Sequence, residues 1–326
     1  MTTFRSLLAA LALIALAPTA RAQDTLTFPT RSVRLIVPAA AGGPVDAVAR
    51  ILADALKTLW SEPVVVENKP GAGNSTGAIY VAQSPPDGHT LLVISDSITV
   101  NPSLYPDLDK DPLKQFEPIS LLVTAPQVLI ARPDIEVTNL REFIDMARNS
   151  KLPLNVASAG SGTISHLTQV LFELRTGIHA SHIPFRGAAP AVTAVLGRHV
   201  DAAWVMPAPV LPYMASGQVK VLAVTSAARD AKFPQVSTVE ESGLSNFEIT
   251  NWQGLFAPAN TPKPIVEQIA GAVAGILKRP EVRSRMASVG FEARGDGPAA
   301  AAELVRTNVA RWSDVVARAR ITAAHD

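Results

Sequence analysis

Two short glycine turns are the residues of this chain best placed to do chemistry. In the first, Ala41-Gly42-Gly43 follows the aliphatic run Val33–Val37 and leads into Pro44. Glycine lets the backbone approach a ligand closely, and the fixed φ of proline suits the first turn of a helix. The N–H groups of that turn, at the positive end of the helix dipole, form an anion site. No lysine or arginine stands in the turn, so backbone must do most of the holding. A carboxylate or a phosphate fits that description. In the second turn, Ala159-Gly160-Ser161-Gly162 ends another apolar run and feeds another helix. Asp46, in the first turn of its helix, reads either as a complement to the dipole or as a cleft group that accepts from an amine or hydroxyl. His166 reads either as packing at the start of its helix or as lining for a cleft.

Three other patterns offer different chemistry. Gly73-Asn74-Ser75-Thr76-Gly77 matches the G-x-S-x-G of a hydrolase nucleophile elbow. Such an elbow turns sharply from strand to helix, whereas Pro70-Gly71 and several more residues separate Ser75 from its strand. A serine esterase using Ser75 is therefore the rival reading, and a ligand-lining or structural loop holding Asn74 and Ser75 is the favoured one. Gly71, Gly73 and Gly77 do not follow the first strand, as a dinucleotide fingerprint should, so no cofactor is expected. His179 and His182 lack a cysteine or nearby carboxylate to complete a metal site, and no metal is expected. Arg186, beside Gly187, and Arg198 are the basic residues nearest the loops of the second unit. They read as surface charges, with a clamp on a ligand carboxylate as the alternative.

The elements that position the turns alternate between strand and helix. Apolar residues recur at three- and four-residue steps over residues 45–60, which predicts an amphipathic helix after the first turn. Strands at 64–67 and 90–94 and a helix near 77–83 follow, and this alternation implies a parallel, doubly wound sheet. Residues 105–116, rich in proline, aspartate and lysine, read as a connector. A second α/β unit comes next, with helices at 140–149, 166–176 and 188–196 and strands at 155–158, around 182–184 and at 202–206. Apolar runs at 119–124, 127–131, 219–225 and 251–257 and closing helices at 264–277 and 298–319 complete the reading. Ligands bind at the carboxyl ends of strands in open α/β sheets. Two such units facing each other would put both glycine turns on one cleft.

Bulk properties narrow the partners. A chain of 326 residues, 48% hydrophobic, can build two cores. Arg5, the apolar run over 7–17 and Ala20-Arg21-Ala22 form a secretory signal, with cleavage expected near Ala22. There is no cysteine, which excludes disulfides, thiolate catalysis and a cysteine-linked lipid anchor. The formal charge is +1; removing residues 1–22 takes away two arginines and no acid, leaving about −1. A near-neutral chain without a basic run argues against nucleic acid or an anionic membrane as partner.

The chain resembles the periplasmic solute-binding receptors of the tripartite tricarboxylate transporter systems, the Bug receptors. The likeness rests on blocks in consistent order: VRLIVP with GG and D..AR over 33–50, VVVENKPGAG with GA over 64–78, PPDGHTLL over 85–92, NPSLY over 101–105 and GSGTISHL over 160–167. HIPFRGAAPAV over 182–192, GRHVDAAW over 197–204, VLAVTSAARDAKFPQVSTVEESG over 221–243 and WQGLFAPANTP over 252–262 extend it. The resemblance implies a non-enzymatic receptor with a type II periplasmic-binding fold, two doubly wound α/β domains around an interdomain cleft. The expected division is a signal peptide at 1–22, a discontinuous first domain at 23–122 plus 225–326, and a second domain at 123–224, with hinges near 118–123 and 221–256. The implied ligand is a small carboxylate: a dicarboxylate, tricarboxylate, amino acid or aromatic acid. Carried over, its contacts are Ala41, Gly42, Gly43, Val45 and Asp46 in one turn and Gly160, Ser161, Gly162, Thr163, Ser165 and His166 in the other. Ser95, Asp96 and Ser97 give a third contribution, and Asn74, Ser75, Arg186 and Gly187 complete the set. The implied partners are the large and small membrane subunits of a transporter, with a membrane signalling protein as the alternative, and the expected state is a monomer. The family usually has an aromatic and a proline where Ala39 and Ala40 stand, and often threonine in place of Val45. These departures imply a larger or more apolar ligand.

Overall fold

The computed structural model describes residues 28–105, 108–109 and 111–322; the expected signal segment lies outside them. The first sheet opens with β1 (Val33–Val37), β2 (Val64–Asn68) and β3 (Thr90–Ser95). Helix α1 (Pro44–Leu56) joins β1 to β2, and α2 (Ser75–Ala82) joins β2 to β3. Val48, Ile51, Leu52, Ala55 and Leu56 give α1 the buried face that its sequence periodicity predicts. It ends at Leu56 rather than near residue 60, because Thr58 and Leu59 bond back three residues and the Thr58 hydroxyl takes the Ala55 carbonyl.

Strand β4 (Phe116–Pro126) carries the chain out of this sheet, and β10 (Thr250–Pro258) brings it back. The second sheet holds β5 (Val128–Ala131), β6 (Leu154–Ser158), β7 (Ala180–Pro184), β8 (Ala202–Val205) and β9 (Lys220–Val224). Its helices are α4 (Leu140–Asn149), α5 (Ile164–Thr176), α6 (Ala188–Leu196) and the short α7 (Leu211–Ala215), while α3 (Ser97–Leu104) follows β3 in the first lobe. After β10 come α8 (Lys263–Leu277), α9 (Pro280–Ser288), β11 (Glu292–Asp296) and α10 (Pro298–Ala319).

The strand orders are β11-β4-β10-β3-β1-β2 and β7-β6-β8-β5-β9. Neither sheet is wholly parallel, contrary to the expectation from strand–helix alternation. In the first, β10 and β11 run against β1 to β4; in the second, β5 runs against the rest. The cause is connectivity. β10 and β5 are the strands that have just arrived from the other lobe, so no crossover helix constrains their direction. Each inserts beside the third strand of a 2-1-3 array, and the two lobes share one plan. The expected division at residue 122 would cut through β4, whose pairing with β10 continues to Pro126.

Each sheet has a core on both faces. In the first lobe, α1, α8 and α9 cover one face, while Val81 of α2, Ile98 of α3 and Val305 of α10 cover the other. In the second, α4 and α5 lie on one face and α6 on the other. Helix α10 belongs to both lobes: Val305 packs with the first, whereas Trp312, Val315 and Val316 pack with Leu167 and Phe172 of the second.

Candidate functional site

Both glycine turns sit where an aliphatic strand meets a helix, and their backbones are built alike. Gly42 and Gly162 have φ of +82° and +73°, a region in which a side chain is strained. Gly43 and Thr163 then cap α1 and α5 in nearly the same extended geometry, φ/ψ −76°/171° and −76°/162°. Neither cap makes a side-chain hydrogen bond to a backbone N–H of its helix, which leaves first-turn N–H groups open to a ligand.

In each turn the left-handed glycine donates its own N–H to the residue four positions on. Gly42 N–H bonds Asp46 Oδ2 at 2.9 Å, and Gly162 N–H bonds His166 Nδ1 at 3.1 Å. These two amides are therefore occupied within the turns. Asp46 is buried and fully engaged: Oδ2 also accepts from Arg50 Nε at 2.8 Å, and Oδ1 accepts from Asn68 Nδ2 at 3.0 Å. Asn68 Nδ2 also reaches the Ala39 carbonyl, tying the turn to β2. Burial pushes the Asp46 carboxyl upward, but the bonds from Arg50, Gly42 and Asn68 prevail and hold it below the usual range. Its geometry is that of a turn-shaping group.

The second turn has a neutral counterpart. The His166 and His182 rings stack 3.8 Å apart, 8° from parallel. Burial, and then the neighbouring His182, push the His166 pKa down to about 4, so Nδ1 is free to accept. His182 Nε2 lies 2.6 Å from Ser158 Oγ, a distance suited to a base and a nucleophile. Ser158 is wholly buried, however, and its hydroxyl is also engaged with Gly160. Thr163 Oγ1 donates to the Gly160 carbonyl, and Ser165 Oγ accepts from Ala159 N–H, so both hydroxyls brace the turn. Ser161 is exposed, as is Arg186, which has no ion-pair partner among the described residues. Gly187 N–H donates to the Ala159 carbonyl, which brings the loop after β7 alongside.

In the first lobe Asn74 Nδ2 donates to Ser97 Oγ at 3.2 Å, and Ser95 Oγ donates to the same oxygen at 3.1 Å. Asn74, Ser95, Asp96 and Ser97 are thus one cluster. Asp96 is held against β10: its N–H donates to the Trp252 carbonyl, and Trp252 N–H donates to Oδ2. Complete burial pushes its pKa up to about 7 against these bonds and those from Ser95 and Ser97. Helix α2 approaches β1 so closely that a Cβ on Gly77 would lie 2.8 Å from Pro38, which draws the two loops together. A Cβ on Gly162 would lie 2.8 Å from Leu104 Cδ1, so the second lobe's turn abuts the end of α3. Asn68 and Leu104 shape the site without having been expected there. The sequence pattern marks Asn68 only as the first residue of the loop after a strand, and Leu104 only as an apolar residue before a connector.

Ser75 opens α2 with its Oγ buried and, among the described residues, without a hydrogen-bond partner, unlike an esterase nucleophile held by its base. A cavity of about 40 Å³ beside it is lined mainly by apolar side chains such as Ile79, Ile94 and Phe116. Among the described residues no three His, Cys, Asp or Glu groups converge on a metal position.

A family model described as the tripartite tricarboxylate transporter family receptor matches residues 48–321. A Pseudomonas sp. strain P51 protein encoded between tcbD and tcbE is 32% identical over 98% of this chain and 95% of its own length. Among solved structures, the malate-bound MatC of Rhodopseudomonas palustris is 36% identical with a TM-score of 0.73, over 89% of this chain and all of that one. The adipate-bound Rpa4515 of R. palustris is 29% identical with a TM-score of 0.75, over 90% and 99%.

Proposed function

As the chain belongs to the tripartite tricarboxylate transporter receptor family, we propose that it is a periplasmic receptor that captures a small carboxylate between its lobes. The fold is read as the type II periplasmic-binding architecture, working as a monomer that passes its solute to the large and small membrane subunits of a transporter. The observation that carries the reading is the matched pair of uncapped glycine turns, one at the strand ends of each lobe. Their first-turn amides supply fixed donors that need little ordering when an acid binds. Ser161 and Arg186 are the side chains left to contact the acid directly, beside Ser97 and Asn74 across the cleft. Asp46, Thr163, Ser165 and His166 shape the turns that present the amides. Gene neighbours, or growth on the acid after loss of the membrane subunits, separate transport from sensing.

The malate and adipate seen in relatives set the starting probes. Ala39 and Ala40 favour the longer or more apolar acid. The test is calorimetry and thermal shift of the mature protein with malate, adipate, citrate, aspartate and benzoate. Binding of one at about 100 times its Kd should add about 2.7 kcal/mol of stability. If none of these acids, nor any acid found by mass spectrometry of freshly purified protein, shifts the melting curve, the proposal is wrong.

A further inference from the structure

The lobes are joined where three chain segments meet: Gln127 after β4, Thr225 after β9 and Ile249 before β10. Val128 pairs with Val224 in the second sheet, and Pro126 pairs with Thr250 in the first. Between those two pairs the chain leaves one sheet for the other. Thr225 bonds both crossings there. Its N–H donates to the Gln127 carbonyl at 2.9 Å, and Ile249 N–H donates to its carbonyl at 3.0 Å. Its single hydroxyl accepts from Gln127 N–H at 2.8 Å and donates to the Ile249 carbonyl. All three residues are buried. Directly behind them a groove of about 750 Å³ is lined by Thr124, Ala125 and Pro126 on the outgoing side and Ser226, Glu248 and Thr250 on the return. The strand order sets this groove on the β11 side of the β4–β10 pair, away from the turn after β1.

We propose that Thr225 is a positioning residue for solute capture, its hydroxyl pinning both crossings at one point about which the lobes turn as rigid bodies. Polar partners inside a buried crossing must stay satisfied throughout the motion. One hydroxyl bonded to both sides meets that need, because small rotations about it leave both bonds intact. The open groove behind gives the lobes room to rotate. Without the hydroxyl, the Gln127 N–H and Ile249 carbonyl lose their shared partner, and only the two backbone bonds of Thr225 remain to hold the crossings, which loosens their relative orientation. The two glycine turns then meet an acid in many relative orientations, and ordering them opposes binding. The inference rests on the reading that the lobes close on a solute.

The test uses the absence of native cysteine. Lys57→Cys on the first lobe and Lys151→Cys on the second, both exposed, carry spin labels, and pulsed spectroscopy reads the distance distribution between them. In protein without added acid, Thr225→Val should broaden the distribution, while Thr225→Ser, which keeps the hydroxyl, should leave it as in the parent. Malate or adipate binding should weaken on the order of tenfold in Thr225→Val only. If Thr225→Val does not fold, Thr225→Ala carries the same measurement. Distributions of equal width in the parent and the hydroxyl-free variant overturn the inference. Equal broadening in the serine variant does so too, because the methyl group would then be the cause. If the hydroxyl-free variant broadens but the parent distance does not respond to any acid, the pivot stands and the closure reading fails.

Discussion

Replacing Asp96 with asparagine isolates one buried charge. Burial raises the pKa from 3.8 to about 7, and each unit corresponds to about 1.4 kcal/mol, so holding Asp96 ionised costs the folded state about 4 kcal/mol. The sign follows from proton counting. Between these two values the folded protein keeps a proton that the unfolded chain has released, so stability falls as pH rises through the interval and stays low above it. The asparagine side chain has the same shape and no charge; it still accepts from Trp252 N–H, with about 1 kcal/mol allowed for imperfect bonding to Ser95 and Ser97. The difference between Asp96→Asn and the parent should therefore run from slightly unfavourable near about pH 4 to about 3 kcal/mol stabilising above about pH 8. Urea unfolding followed by tryptophan fluorescence at several pH values measures it, and taking the difference cancels every other titrating group. A difference that stays constant across that range refutes the reasoning, since it would mean that Asp96 titrates in the folded protein as it does in the unfolded chain.

His166→Asn should show the opposite slope. The folded pKa of about 4 lies below the ordinary 6.5, so the neutral ring contributes stability that is present near neutrality and lost as pH falls through that window, about 3 kcal/mol in all. The asparagine variant, able to accept from Gly162 N–H, should lose most of that dependence in the same urea series. Because the His166 and Asp96 effects oppose each other, the parent curve should be flatter than that of either variant. Asp46→Ala removes the acceptor for Gly42 N–H, Arg50 and Asn68, donors that can reach water, and should cost about 2 kcal/mol by thermal or urea unfolding. Its cost should shrink in strong acid, where Asp46 itself becomes protonated in the parent. Ser75→Ala should leave stability unchanged or slightly raised, since its hydroxyl has no partner among the described residues, and neither it nor the parent should hydrolyse a generic ester.

Local patterns carried much of the fold. Helix α1, strands β1, β3 and β8 and helices α8 and α10 follow from local apolar patterns, the helices because each buries one face and the central strands because both their faces are covered. Helix α9, PEVRSRMAS, is short and mostly polar and carries no such pattern. Helix α3 is less legible: Ser97–Leu104 contains Pro102 and has almost no one-sided apolar stripe, as its Val100 and Ile98 reach different clusters. Strand β11, with the sequence EARGD, has little apolar character and forms because β4 offers a free edge. A one-dimensional pattern cannot announce that edge.

That each unit ends a strand in a glycine turn and starts a helix there is written in local residue order. Those geometries depend on φ values that only neighbouring residues in the chain impose. Which groups complete the turns depends on packing between segments far apart in the chain. Asp46 and His166 hold their glycines across one helical turn, but Asn68, His182 and Leu104 arrive from other strands and from the other lobe. That packing also decided the direction of β5 and β10, since chains crossing between lobes carry no local signal of orientation. The single hydroxyl of Thr225 gains its place in the same way, from three segments distant in sequence that close around one buried point.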